Sequence, residues 1–190
     1  MTRAGSADSG TVIDQITGGG AIPTSALHIR KIPWSDARGF LIENHYLHRV
    51  GVGVRLSLGV FASSAFGAQM IGVMTFSLPV AANRLKDGFI SLELTRMCIA
   101  DVTTRNAESR CLAVAARIIR QTFPEIRHLI AYSDLEGRGH KGTIYAAAGW
   151  VCEGGAGNLT WTNRPGRRDR GSNTRKLRWR KTLAPSSETG

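Results

Sequence analysis

An amphipathic stretch over residues 106–121, set between two β-rich runs, constrains the fold of this chain more than any other feature. Leu112, Ala115, Ala116 and Ile119 lie on one stripe of a helix there, Asn106 is a favourable cap before it, and Pro124 closes it. Residues 89–100 read as a long strand before the helix. Residues 127–133, with Leu129, Ile130 and Ala131 at their centre, read as a buried strand after it. A helix with one apolar stripe must bury it, and a flanking sheet supplies the surface.

The same reading extends in both directions. Residues 33–48 form a helix candidate through Trp34, Ala37, Phe40, Leu41 and Leu47, broken by Gly51 and Gly53. Residues 54–62 and 69–77 read as strands joined by a hairpin connection over 63–68. Beyond residue 133 come a glycine-bearing loop, a short helix over 141–148 ended by Gly149, and closing strands at 150–152, 159–162 and 177–182. The order is helix, three strands, helix, strand, helix, closing strands. It predicts an α/β (α+β) domain with a mixed central sheet and helices on its faces. The 190 residues and 42% hydrophobic content suit a single domain over 23–183, after a Gly/Ser/Thr-rich lead at 1–22 and before a tail at 184–190, both expected to be disordered.

Several classes are disfavoured. The sequence has no apolar run of membrane-spanning length, and its first residues lack the basic start and apolar stretch of a secretory signal. A cytoplasmic location and no membrane partner are expected; for a phage-encoded chain this means the host cytoplasm. The three cysteines are odd in number and have no Cys-x-x-Cys spacing, so neither a disulfide framework nor a zinc knuckle is indicated. Cys98 and Cys111 lie in apolar stretches and read as packing residues.

The net charge of +11 points towards a polyanion. Its clustering is sharper than its sum. Arg164, Arg167, Arg168, Arg170, Arg175, Lys176, Arg178, Arg180 and Lys181 follow one another with only Asp169 opposing them, and residues 163–173 read as a basic loop. Trp161 and Trp179 interleave with these charges. Arginines grip phosphates while aromatics stack on bases, so the run is a candidate nucleic-acid surface. A solvated, solubility-giving tail is the plainer alternative.

Chemistry-bearing residues gather in three places. Asp134 stands where a strand ends, a position that lines a crevice in open sheets; its carboxylate could take a proton from an amine, hold a metal, or merely turn the chain. His140, within Gly139-His140-Lys141-Gly142, could relay protons, contact phosphate, bind metal or brace the loop. Tyr145 projects from the short helix, to act on a ligand or to pack against Ala148 and Trp150. His45 and Tyr46 end the first helix; a histidine there also complements the helix dipole. Arg96 lies inside a largely apolar strand and demands a carboxylate or phosphate partner. Glu93, an odd number of positions away, is expected on the opposite face.

The segment from Ala131-Tyr132-Ser133-Asp134 through Gly139-His140-Lys141-Gly142 to Ile144-Tyr145-Ala146-Ala147-Ala148-Gly149-Trp150 resembles the Mom family of phage DNA-modification proteins. Glu43-Asn44-His45-Tyr46 resembles that family's His-Tyr signature, and Glu93-Leu94-Thr95-Arg96-Met97-Cys98 its Glu-Leu-x-Arg strand. The three pieces occur in order over about residues 30–160. The resemblance implies a Gcn5-related N-acetyltransferase-like fold and an anti-restriction enzyme that places a carbamoylmethyl group on the exocyclic amine of adenine in double-stranded DNA. It implies His45, Tyr46, Arg96, Asp134 and Tyr145 as catalytic candidates. Tyr46 or Trp161 would stack on the base, and the basic run from Arg164 to Arg178 would bind DNA.

Acyl-coenzyme A and iron are the two cofactors to consider. Ordinary acetyltransferases cradle a diphosphate on a glycine-rich turn before the central helix. The corresponding residues 101–110 hold no glycine, which leaves Arg105, Asn106 and Arg110 as the cofactor-binding candidates. His45, Asp134 and His140 would supply an open iron site, although their spacing does not require one. A coenzyme A-dependent N-acetyltransferase acting on a small amine or protein, and a non-catalytic DNA-binding protein, are the rival readings. A homodimer is compatible with all three.

Overall fold

The computed structural model describes residues 20–45, 50–51, 53–64, 67–79, 88, 90–134, 141–156 and 176–183. After a short 3-10 turn at Thr24–Ala26, the elements are β1 (Leu27–Lys31), α1 (Trp34–Asn44), β2 (Val54–Ser64), β3 (Gly67–Ser77), β4 (Ser91–Ile99), α2 (Ala107–Thr122), β5 (His128–Asp134), α3 (Thr143–Ala147), β6 (Val151–Ala156) and β7 (Lys176–Thr182). The seven strands form one mixed sheet in the order β1-β2-β3-β4-β5-β7-β6. All neighbours are antiparallel except β4 and β5. The parallel pair is what a strand-helix-strand crossover through α2 requires.

The two faces of the sheet have different coverings. Leu58, Val60, Met74, Phe76, Leu92, Leu129 and Ala131 share one core with Leu112, Ala115 and Ile119 of α2. Val73 faces the other way, against Ala37 and Leu41 of α1. The predicted helical stripe is therefore the α2 side of the main core, and period-two alternation assigns each strand residue to one face. α2 also complements its own dipole, with Glu108 in the first turn and Arg120 in the last.

Three features depart from the sequence reading. β1, an edge strand carrying the charges of Arg30 and Lys31, follows from no periodicity, because only Leu27 and Ile29 of its five residues face the core. Ile22, assigned by sequence to the lead, is buried and bridges Thr103. Asn106 precedes α2 in the left-handed conformation (φ 69°) and makes no side-chain cap bond; its carbonyl accepts from the Ser109 hydroxyl at 3.0 Å. The expected strand at 159–162 and the basic loop at 163–173 lie outside the described residues, as do most of the lead and the tail.

Candidate functional site

The ladder between β4 and β5 runs only from Ser91↔His128 to Glu93↔Ile130, although β4 continues to Ile99 and β5 to Asp134. Just past that point β4 carries an extra residue. Phe76 opposes Leu94 while Thr75 opposes Arg96, which leaves Thr95 as a β-bulge. The Thr95 hydroxyl donates to the Thr75 carbonyl at 3.1 Å and lies 3.0 Å from the Thr75 hydroxyl. Gly51, at the end of the α1–β2 connection, sits so close above Thr95 that an added Cβ would be 3.3 Å from its hydroxyl. Gly51 therefore lies over the bulge.

The bulge overturns the alternation argument for Glu93. One inserted residue restores phase, so Glu93 and Arg96 oppose Ser77 and Thr75, two positions apart on β3, and share one face. Cys98 packs with Val73 against α1, which identifies this as the α1 face. Arg96 is half-buried, and its Nη1 donates to the Thr95 carbonyl at 2.6 Å. A backbone carbonyl at the bulge is thus one partner of this guanidinium.

The same face is floored by hydroxyls. Ser57, Thr75, Ser77 and Ser91 are all buried, with Ser57 opposite Thr75 and Ser77 opposite Glu93. The Ser77 hydroxyl is buried with no hydrogen-bond partner among the described residues, a situation that costs about 1–3 kcal/mol. The sequence reading passed over this floor. Its signal is a hydroxyl at alternate positions of otherwise apolar strands.

Asp134 is the last residue of β5 and half-buried. Leu129 and Ala131 belong to the α2 side, so Ile130, Tyr132 and Asp134 face the α1 side with Arg96. His45 caps the C-terminus of α1 through its amide, which donates to the Leu41 carbonyl at 3.1 Å, and is only 5% exposed. Tyr46 and His140 lie outside the described residues.

Tyr145 is not brought to that face. It is 4% exposed in the α2-side core, with ring centroids 5.3 Å from Trp150 and 5.8 Å from Trp179. Trp179 also requires a correction. It is buried in the same core and its indole N–H donates to Ser133 at 2.9 Å, so it is not a surface aromatic among the arginines. Alternation on β7 turns it inward between the outward Arg178 and Arg180. Gly142 completes this packing. It has φ +86°, and an added Cβ would lie 2.4 Å from the Trp179 ring.

The turn before α2, residues 101–106, holds none of the glycines of a diphosphate cradle. Ile22 donates its amide to the Val102 carbonyl at 2.7 Å and accepts from the Thr104 amide at 2.9 Å, while the Ala107 amide donates to Thr104. The turn is thus tied to the N-terminal segment through the Val102 carbonyl and the Thr104 amide. Arg105, Asn106 and Arg110 are exposed around it. Among the described residues no group of three His, Cys, Asp or Glu is placed to hold a metal ion. Burial, with Glu108 nearby, pushes the Cys111 thiol up to about 12, with Arg110 opposing weakly. Burial and Asp101 raise that of Cys98. Both thiols are therefore protonated at neutral pH and are poor nucleophiles.

Of the basic run, Lys176, Arg178, Arg180 and Lys181 lie on β7, while Arg164, Arg167, Arg168, Arg170 and Arg175, with the neighbouring Trp161, lie outside the described residues. Lys176 is exposed and sits opposite Asp134; Arg178 sits opposite Tyr132 and meets Glu153 at 2.6 Å. No helix among the described residues is long and apolar enough to cross a membrane.

The sequence model of the Mom protein family matches residues 26–182. The methylcarbamoylase Mom of Escherichia phage Mu is 29% identical over 140 residues, which cover 70% of this chain and 55% of that protein. The chain thus spans about half the length of the curated relative. Among solved structures, the ribosomal-protein-S5-alanine acetyltransferase of Vibrio fischeri superposes with a TM-score of 0.57 at 12% identity, covering 83% of this chain and 93% of that one. The spermidine N-acetyltransferase of Vibrio cholerae, solved with CoA and spermine, gives 0.52 at 14% identity, covering 85% and 98%. These likenesses show an acetyltransferase-type fold, as the element order predicts, and leave the chemistry to the site.

Proposed function

The chain belongs to the Mom protein family, and from that premise we propose that it is a transferase that adds a carbamoylmethyl group to the exocyclic amine of adenine in double-stranded DNA, protecting that DNA from restriction. The observation that carries this reading is the register of Asp134 opposite Lys176. The carboxylate at the mouth of the β4–β5 opening stands beside the point where the basic run from Arg164 enters the sheet. A chemical group and a polyanion-binding segment then serve one substrate.

As the new N–C bond forms, the bond from the transferred carbon to its donor breaks and the donor leaves with that electron pair, while the adenine amine loses a proton, for which Asp134 is the proposed acceptor. Arg96, half-buried on the same face as Asp134, is the residue proposed to help hold the base or the transferred amide. An amine inside a duplex is shielded by stacking, so the target base must be flipped at roughly a few kcal/mol. Tyr46 and Trp161 are the aromatics proposed to stack on it, with phosphates held by the basic run. The turn before α2 lacks the glycines of a diphosphate cradle, and no step is routed through coenzyme A.

The acetyltransferase-type fold favours a second reading, acetylation of a small amine or protein, against which the tied turn counts. Mass spectrometry of nucleosides from cells expressing the chain, with the donor pathway intact, separates the readings. A modified deoxyadenosine is expected. Unmodified nucleosides together with tight coenzyme A binding would establish the acetyltransferase; DNA binding with unaltered nucleosides would leave a non-catalytic binder.

A further inference from the structure

Arg178 and Arg180 alternate with inward residues on β7, opposite Tyr132 and Ile130, and so lie on the α1 face with Asp134 and Arg96. Both are held by one carboxylate. Glu153 is the extra residue of a bulge in β6, where Cys152 opposes Trp179 and Gly154 opposes Arg178. The bulge sets its side chain between the two arginines. One carboxylate oxygen takes Arg178 Nε at 2.6 Å and the other takes Arg180 Nε at 2.7 Å. A guanidinium has five N–H donors in a planar fork, and an Nε contact engages only one of them.

We propose that the α1 face of the sheet is the face that docks on duplex DNA, and that Glu153 fixes Arg178 and Arg180 as a preset fork for a backbone phosphate beside the target base. The inference rests on the DNA reading above and adds the side of the molecule, the phosphate-binding pair and the residue that orients it. Three cations, with Lys176, outweigh the two carboxylates of Glu153 and Asp134 here, so the patch stays positive. Two arginines already held in place lose less side-chain freedom on meeting a phosphate than two free ones. The opposite side also carries exposed cations, Arg110 and Arg117 on α2. A flipped base stays bonded to its own phosphates, however, so the phosphate grip must share a face with Asp134. Arg180, outside the sequence-based list of DNA contacts, thereby joins Arg178, and Glu153 acts as a positioning residue.

Arginine-selective labelling of the full chain with phenylglyoxal, with and without duplex DNA, tests this by peptide mass spectrometry. DNA should slow labelling of Arg178 and Arg180 severalfold and leave Arg117 unchanged. Protection of Arg117 with Arg178 and Arg180 unaffected would overturn the assigned face. If a modified adenine is still found in the nucleoside experiment, that result leaves the proposed activity standing. Protection at no arginine, with unmodified nucleosides, would overturn both. The double variant Arg178→Lys, Arg180→Lys keeps the charge but loses the fork; its duplex affinity should fall about tenfold, which corresponds to roughly 1.4 kcal/mol. Unchanged affinity at unchanged melting temperature would reduce the fork to a strand-to-strand staple.

Discussion

The Trp179 indole donates to the Ser133 hydroxyl at 2.9 Å inside the α2-side core, while the next residue, Asp134, faces the other way. The Ser-Asp pair at the end of β5 is thus divided between two tasks, one internal and one at the open face. Ser133→Ala should leave the indole N–H buried and unpaired, and lower stability by about 1–3 kcal/mol in urea unfolding. Modification by the folded protein should be retained. Lost modification at full stability would move Ser133 into the chemistry.

Gly142, the second glycine of the Gly-His-x-Gly motif, is required by packing against Trp179. Gly142→Ala places a Cβ against the ring in a left-handed backbone. The expected loss is about 2–5 kcal/mol, combining left-handed strain with overpacking. A melting temperature equal to that of the unaltered chain would contradict the close approach.

Asp134→Ala should abolish adenine modification and leave the circular-dichroism spectrum and melting temperature nearly unchanged, because the carboxylate is half-buried at a strand end. Retained modification would assign Asp134 to chain turning. Loss of the folded state would make it structural.

The cysteines should sort by burial. Cys152 is exposed and Cys111 is buried, so a thiol reagent at neutral pH should modify Cys152 first and Cys111 only on unfolding. The folded Cys111 thiol stays protonated up to about 12, whereas the unfolded thiol ionises near 9.0. Between those values the unfolded chain binds fewer protons, so this group's stabilising contribution falls as pH rises, by up to about 1.4 kcal/mol per pH unit. Cys111→Ala should flatten that alkaline limb in denaturant titrations; an unchanged limb would refute the assignment.

Replacing Arg167, Arg168 and Arg170 by Ala should weaken duplex binding about equally for all sequences, since a dense cationic run meets phosphates rather than base edges. Each lost contact should flatten the slope of log affinity against log salt by about 0.9, so the triple change reduces it by up to roughly 3. Fluorescence anisotropy over a salt series measures this. An unchanged slope would remove the run from the DNA backbone, and a loss confined to one target would reassign it to base readout.

The sequence by itself determined the elements with a strong period. Leu112, Ala115, Ala116 and Ile119 specified α2 by their helical spacing, and the apolar run Leu129 to Ala131 specified β5, because the spacing of apolar residues is a local property of the chain. The place of Asp134 at the end of that strand was legible for the same reason. Tertiary structure alone decided what depends on register. Thr95 and Glu153 look like ordinary strand residues until their partners are known, yet as bulges they shift phase, put Glu93 on the face of Arg96, and draw Arg178 and Arg180 to one carboxylate. The inward turn of Trp179, the burial of Tyr145 and the tie between Ile22 and Thr104 are likewise contacts between distant segments. A single inserted residue reverses the facing of everything beyond it, and only the pairing of strands fixes where that insertion falls.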